Sequence, residues 1–115
     1  MAVTPLEKLT LELRRGAIVL AVLSQLEEPQ YGYSLQQHLA NRGMEIEQGT
    51  LYPLLRRLAE QELLAEEWKL EDGRPRKYYR LTAAGTEALR ELSSQWYQLS
   101  DVLDALLDGN ARRPG

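Results

Sequence analysis

At 115 residues and 13.2 kDa, the chain can bury one modest core, so a single folded unit is expected. Its 43% hydrophobic and 27% charged fractions are ordinary for a globular protein, and no stretch nears the roughly 20 apolar residues of a membrane span. A net charge of −3 weighs mildly against a nucleic-acid partner, while the absence of cysteine and a lone His38 exclude disulfides, thiol nucleophiles and His- or Cys-built metal sites.

A first helix is predicted over residues 5–26, with Thr4 as N-cap, Pro5 at N1, and Leu6, Leu9, Leu13, Ala17, Leu20 and Leu23 at helical spacing. From Ala17 to Leu23 every side chain is apolar, which implies burial on more than one face. So small a chain has little to cover both faces, and Leu13 and Leu20 are expected to meet a partner chain. Arg14 and Arg15 before this run imitate a secretory signal, but no small-residue cleavage site follows, so a cytoplasmic location is expected. Glu28-Pro29-Gln30 breaks the helix. A second helix is predicted over 33–42, with Leu35 and Leu39 inward and Gly43 at its end.

A third helix, over 49–62, carries Leu51, Leu54, Leu55 and Leu58 on one stripe. Proline fits best in a first turn, which predicts Thr50 as N-cap and Pro53 near the third position. Next, Leu64, Glu66, Trp68 and Leu70 alternate with Ala65, Glu67 and Lys69. After the turn Glu71-Asp72-Gly73, Lys77, Tyr79 and Leu81 alternate with Arg76, Tyr78 and Arg80, giving a β-hairpin with one buried face. Thr82 caps a last helix over 83–107, and residues 109–115 read as a disordered tail.

Helix, short helix, turn, helix and basic hairpin is the order of a winged helix-turn-helix. The fold class expected is therefore mainly α with a two-stranded β wing, extended by a long C-terminal dimerisation helix. Residues 1–81 form the DNA-binding unit in this reading and 82–108 the dimerisation helix. Opposite its leucine stripe the third helix displays Gly49, Pro53, Arg56 and Glu60, flanked by Tyr52 and Arg57. Gly49 and Pro53 have little bulk, so the helix start can approach phosphate closely with its free N–H groups, and Arg56 and Arg57 can pair with phosphate or guanine edges. Two arginines on a helix are by themselves only a solvated face. The hairpin adds Arg74, Arg76, Lys77 and Arg80 with no acid between them, more charge than edge protection requires. Alternation sends Tyr79 to the core side and Tyr78 outward, where its hydroxyl can reach phosphate. Tyr31 and Tyr33 are open to either role.

Three segments, Tyr31-Gly32-Tyr33-Ser34-Leu35, Gly49-Thr50-Leu51-Tyr52-Pro53-Leu54-Leu55-Arg56-Arg57-Leu58 and Gly73-Arg74-Pro75-Arg76-Lys77-Tyr78-Tyr79-Arg80-Leu81-Thr82, occur in an order and spacing that resemble the PadR family over about residues 13–108. The resemblance implies a homodimeric transcriptional regulator, usually a repressor, that binds double-stranded DNA at a near-palindromic operator. Carried over residue by residue, it implies DNA-facing roles for Tyr33, Thr50, Tyr52, Arg56, Arg74, Arg76 and Lys77. The wing tip departs from many members in having a single glycine, Gly73.

In the last helix Leu89, Leu92, Trp96, Leu99, Leu103 and Leu106 follow at spacings of 3, 4, 3, 4 and 3, the seam of a helix packed lengthwise on another. At roughly 40 Å it outruns its own domain, so its distal turns require a second chain. Trp96 sits mid-seam, where packing across the interface is one role. The other, implied by drug- and phenol-responsive members of the resembled family, is stacking on a small aromatic effector. No cofactor is expected, and without a histidine pair, cysteine or shielded carboxylates the chain does not read as an enzyme. The acidic isoelectric point and the few polar side chains facing a groove keep a second reading open, a winged-helix module that binds protein instead of DNA.

Overall fold

The structure, a computed structural model, describes residues 2–109; of the tail expected over 109–115, all but Gly109 lies outside the described residues. The element order is α1 (Pro5–Ser24), β1 (Gln30–Tyr31), α2 (Gly32–Asn41), α3 (Gln48–Glu60), β2 (Leu64–Glu71), β3 (Arg74–Leu81) and α4 (Ala83–Asp108). The fold is mainly helical with a small antiparallel sheet, as the pattern predicted.

At the start of α1 a capping box forms: Glu7 N–H donates to Thr4 Oγ1, and Thr4 N–H donates to Glu7 Oε1, both at 3.1 Å. That reciprocal bonding holds the Glu7 carboxyl below its ordinary range. Helix α1 stops at Ser24, short of the expected Leu26, whose side chain instead enters the core. Helix α2 closes with Gly43 N–H on Ala40 O and Met44 N–H on Leu39 O, the paired bonds of a Schellman end.

The start of α3 corrects the sequence reading. Its N-cap is Glu47, Thr50 N–H donates to Glu47 O at 2.9 Å, and Pro53 lies inside the helix. An interior proline removes the bond to the carbonyl four residues back and crowds it. Here that residue is Gly49, exposed and without a side chain, so the freed carbonyl faces solvent at low cost.

Strands β2 and β3 pair from Leu64↔Leu81 to Glu71↔Arg74, joined by Asp72 and Gly73, both at positive φ, in a two-residue turn. Sequence reasoning anticipated two strands; the sheet has three, ordered β1-β3-β2, with Gln30↔Tyr79 and Tyr31↔Tyr78 adding β1 to the free side of β3. The hairpin's buried face is also shorter than expected. Leu64 and Leu81 are buried and Tyr79 half-buried, but Trp68 is 64% and Leu70 76% exposed, because the wing extends past the core that would cover them.

Val22, Leu23, Leu26, Leu35, Leu51 and Leu55 are fully buried at the centre, and no polar side chain is buried among the described residues. Thr82 ties α4 to this unit, accepting Gly85 N–H at 3.0 Å and donating to Glu62 O at 2.7 Å. Gly85 is buried so tightly that a Cβ there would sit 2.0 Å from Leu63 O. Leu89 and Leu92 pack partly on the chain's own core, whereas Trp96, Leu99, Leu103 and Leu106 beyond them are exposed. On α1, Leu6, Leu9, Leu11 and Leu13 are exposed and Leu20 is half-buried. Both projecting helices contribute to a radius of gyration of 16.9 Å, against about 13 Å for a compact chain of about 100 residues.

Candidate nucleic-acid interface

Helices α2 and α3 meet across a loop held by Gln36 Nε2 on Ile46 O at 2.8 Å, with Ile46 buried beneath it. Arg14 Nη2, from α1, donates to Glu45 O in the same loop at 3.1 Å. With Leu51, Leu54, Leu55 and Leu58 fixed inward, α3 presents Gly49, Pro53, Arg56, Arg57 and Glu60 to the outside, as the helical period requires.

The sequence-predicted site residues fall on two flanks of α3. On one, Tyr33, Tyr52, Arg76 and Lys77 line an open cleft of about 240 Å³ together with Tyr31, Gly32 and Tyr79. The pairing of β1 with β3 makes this cleft, because it brings the start of α2 against the edge of the wing. Gly32 is part of the fit: a Cβ there would lie 2.5 Å from Tyr52 Cε1, so the ring of Tyr52 occupies the space that a side chain would fill. On the other flank, Thr50, Pro53 and Arg57 line a larger open cleft of about 890 Å³ with Arg14 and Arg15 of α1. Exposed Arg56 lies close enough to Tyr79 to act on its charge.

The wing cations are held in place by rings and carboxylates. The Arg76 guanidinium lies 4.4 Å from the Tyr31 centroid, Lys69 Nζ 4.7 Å from that of Tyr78, and Lys77 Nζ 5.2 Å from that of Trp68. Tyr31 and Tyr78 meet edge to face at 5.4 Å. Lys77 also pairs with Glu66 at 3.3 Å. The Tyr78 hydroxyl, expected to point outward at phosphate, donates to the Glu71 carboxylate instead. That bond raises the Tyr78 pKa above its ordinary value; burial raises that of Tyr79. Arg74 is exposed at the tip.

Strand β3 read alone looked free of acid, yet β2 lies beside it. From Leu64 to Leu81 the hairpin holds five cations (Lys69, Arg74, Arg76, Lys77 and Arg80) against four carboxylates (Glu66, Glu67, Glu71 and Asp72). The sequence signal for the Lys77–Glu66 pair was present in the alternation, which puts both on one face. The roles of Tyr31 as a platform and of Gly32 as a gap had no comparable signal. Among the described residues no cluster of three or more His, Cys, Asp or Glu side chains can hold a metal ion, and no helix is long and apolar enough to cross a membrane.

The transcriptional regulator PadR-like family model matches residues 19–91, which contain the whole α2–α3 unit and the wing. The chain belongs to the PadR-like family. Like its relatives in that family, it is a transcriptional regulator. It is 53% identical to a PadR-family transcriptional regulator of Eggerthella lenta whose crystal structure superposes with a TM-score of 0.82, covering 89% of this chain and 91% of that one. A PadR-like transcription factor of Bacteroides fragilis is 35% identical, with a TM-score of 0.73 and coverage of 86% and 98%. The transcriptional regulator Rv3488 of Mycobacterium tuberculosis is 41% identical over 81 residues, 70% of this chain and 76% of its own.

Proposed function

We propose that this PadR-like protein is a sequence-specific DNA-binding repressor that works as a homodimer. The observation that carries the reading is the shared cleft in which Tyr33, from the first turn of α2, and Tyr52, from the second turn of α3, lie beside Arg76 and Lys77 of the wing. A surface built from a helix-turn-helix and a cationic hairpin suits a duplex: the hairpin cations neutralise phosphates while α3 reads base edges from the major groove. Arg56 is the base-reading side chain in this account. Arg74, Arg76 and Lys77 bind phosphate, Thr50, Pro53 and Arg57 line the second flank of α3 beside Arg14 and Arg15, and Tyr78 acts indirectly by bracing the wing.

The division of labour is residues 1–81 on DNA and 82–108 in dimerisation. Exposed Leu13 on α1, and Trp96, Leu99, Leu103 and Leu106 on α4, form apolar surface that a second copy covers, with Leu20, Leu89 and Leu92 at its margin. A two-fold dimer presents two α3 helices and so selects a near-palindromic operator, whose occupation in the cytoplasm blocks transcription. In this account Trp96, 46% exposed in one chain, stacks on a planar aromatic effector that shifts the two reading heads.

Footprinting on the DNA next to the protein's own gene tests the reading. Protection of two half-sites about one helical turn apart supports it, and no protected sequence contradicts it. Titration with planar aromatics tests the effector role, and unchanged tryptophan emission across a broad panel removes it.

A further inference from the structure

The wing carries two apolar side chains at its tip, Trp68 and Leu70, that neither the core nor the proposed phosphate contacts use. Strand alternation puts Leu64, Glu66, Trp68 and Leu70 on one side of the hairpin, opposite Leu81, Tyr79, Lys77 and Pro75. At its base this face is core; at its tip Trp68 and Leu70 are left 64% and 76% exposed. A single exposed apolar residue needs no explanation, but this indole is both uncovered and positioned. Trp68 is the direct cross-strand partner of Lys77, whose ammonium lies 5.2 Å from the ring centroid and pairs with Glu66 on the same face. Lys77 also lines the cleft shared with Tyr52, so the indole extends the proposed interface instead of facing away from it.

We propose that Trp68, supported by Leu70, is a DNA-contacting residue of the wing, its ring lying on the deoxyribose and base edges of the groove beside the one α3 enters. This rests on the DNA-binding reading. What favours a duplex over an apolar protein partner is the ribbon that carries the ring: Lys77 lies against the indole and lines the cleft of the proposed interface, while Lys69, Arg74 and Arg76 stand on the ribbon's other face, so cations on both faces match a polyanion. A duplex also offers apolar sugar and base edges just inside its phosphates, where inserted apolar side chains are at home. The contact adds affinity without releasing counterions, so it is distinguishable from the arginine contacts.

Trp68 and Trp96 are the two tryptophans of the chain, which makes the test spectroscopic. The wild type and Trp68→Phe are titrated with the footprinted promoter duplex while tryptophan emission and acrylamide quenching are followed. Binding changes the emission of the wild type and shields it from acrylamide, and both signals vanish in Trp68→Phe, which emits from Trp96 alone. Trp68→Ala binds about tenfold more weakly, the scale of one aromatic contact to nucleic acid, with the salt slope, dimer mass and thermal midpoint unchanged; Trp68→Phe recovers most of the loss. Tight binding with identical emission changes in the wild type and Trp68→Phe overturns the inference and leaves DNA binding intact. Weakened binding by Trp68→Ala that merely tracks a fallen thermal midpoint also overturns it, since the ring then only stabilises the hairpin. A wild type that binds no duplex overturns both readings together.

Discussion

Gly85 shows how a single position joins the two halves of the molecule. Its missing side chain lets the first turn of α4 press on the carbonyl of Leu63, where Thr82 N–H also donates at 3.1 Å. Gly85→Ala forces backbone against backbone and is expected to lower stability by about 2 kcal/mol or more, read from urea unfolding; an unchanged midpoint contradicts this packing. At Tyr78 the chemistry gives a pH dependence. Its donation to Glu71 raises the folded-state pKa above 10.0, so the bond's contribution is fully present below that pH and is lost as pH rises through the folded value. Thermal midpoints measured above pH 9 are expected to fall less steeply with pH in Tyr78→Phe than in the wild type. These local facts mark where the sequence misled. Pro53 looked like a first-turn residue because an interior proline is costly, and what lowers that cost, a bare exposed Gly49 one turn earlier, is visible only when the two are stacked. Alternation separates Tyr78 from the face of Tyr79, as the register has it, but the reach of its hydroxyl to Glu71, across and along the hairpin, was not visible without that register.

At the scale of elements, periodicity was enough to predict the four helices and the hairpin, since leucines at spacings of three and four leave few alternatives. Strand β1 was not legible. Two residues, Gln30 and Tyr31, following Pro29, carry no pattern of their own and become a strand only because β3 offers them a free edge. That short pairing places Tyr31 under Arg76 and the start of α2 beside the wing, so the least visible element assembles the candidate site. The wing and α3 are expected to fail differently. Arg76→Ala with Lys77→Ala should weaken binding to every duplex and reduce the salt slope by about two, one for each lost phosphate contact. Arg56→Ala should relax preference at one base position in each half-site, worth about 1–3 kcal/mol of discrimination, with the slope nearly unchanged. Equal effects on cognate and random duplexes for Arg56→Ala would remove it from base reading.

For the whole molecule, the apolar surface that one chain leaves open is concentrated on α1 and on the distal half of α4. The sequence foresaw the α4 part from the seam through Trp96, though the structure divides that seam, with Leu89 and Leu92 serving partly the chain's own core. On α1 the all-round apolar run was misleading, since Ile18, Val19, Ala21, Val22 and Leu23 serve the chain's own core and the exposed leucines are Leu6, Leu9, Leu11 and Leu13 before it. Light scattering is expected to give twice 13.2 kDa for the wild type and a monomer for Leu103→Glu, which puts a carboxylate into the interface. The monomer should bind a half-site weakly and lose its preference for the palindrome. The acidic total charge, which argued against DNA at the outset, matters less than its distribution: Asp101, Asp104 and Asp108 sit on the helix assigned to dimerisation. The most direct test of the central claim is the affinity of the dimer for the duplex beside its own gene as salt is raised. The account predicts tight binding that falls steeply, log affinity against log salt, with a much weaker and similarly salt-sensitive affinity for a scrambled duplex. Absent binding, or binding indifferent to both salt and sequence, would contradict it.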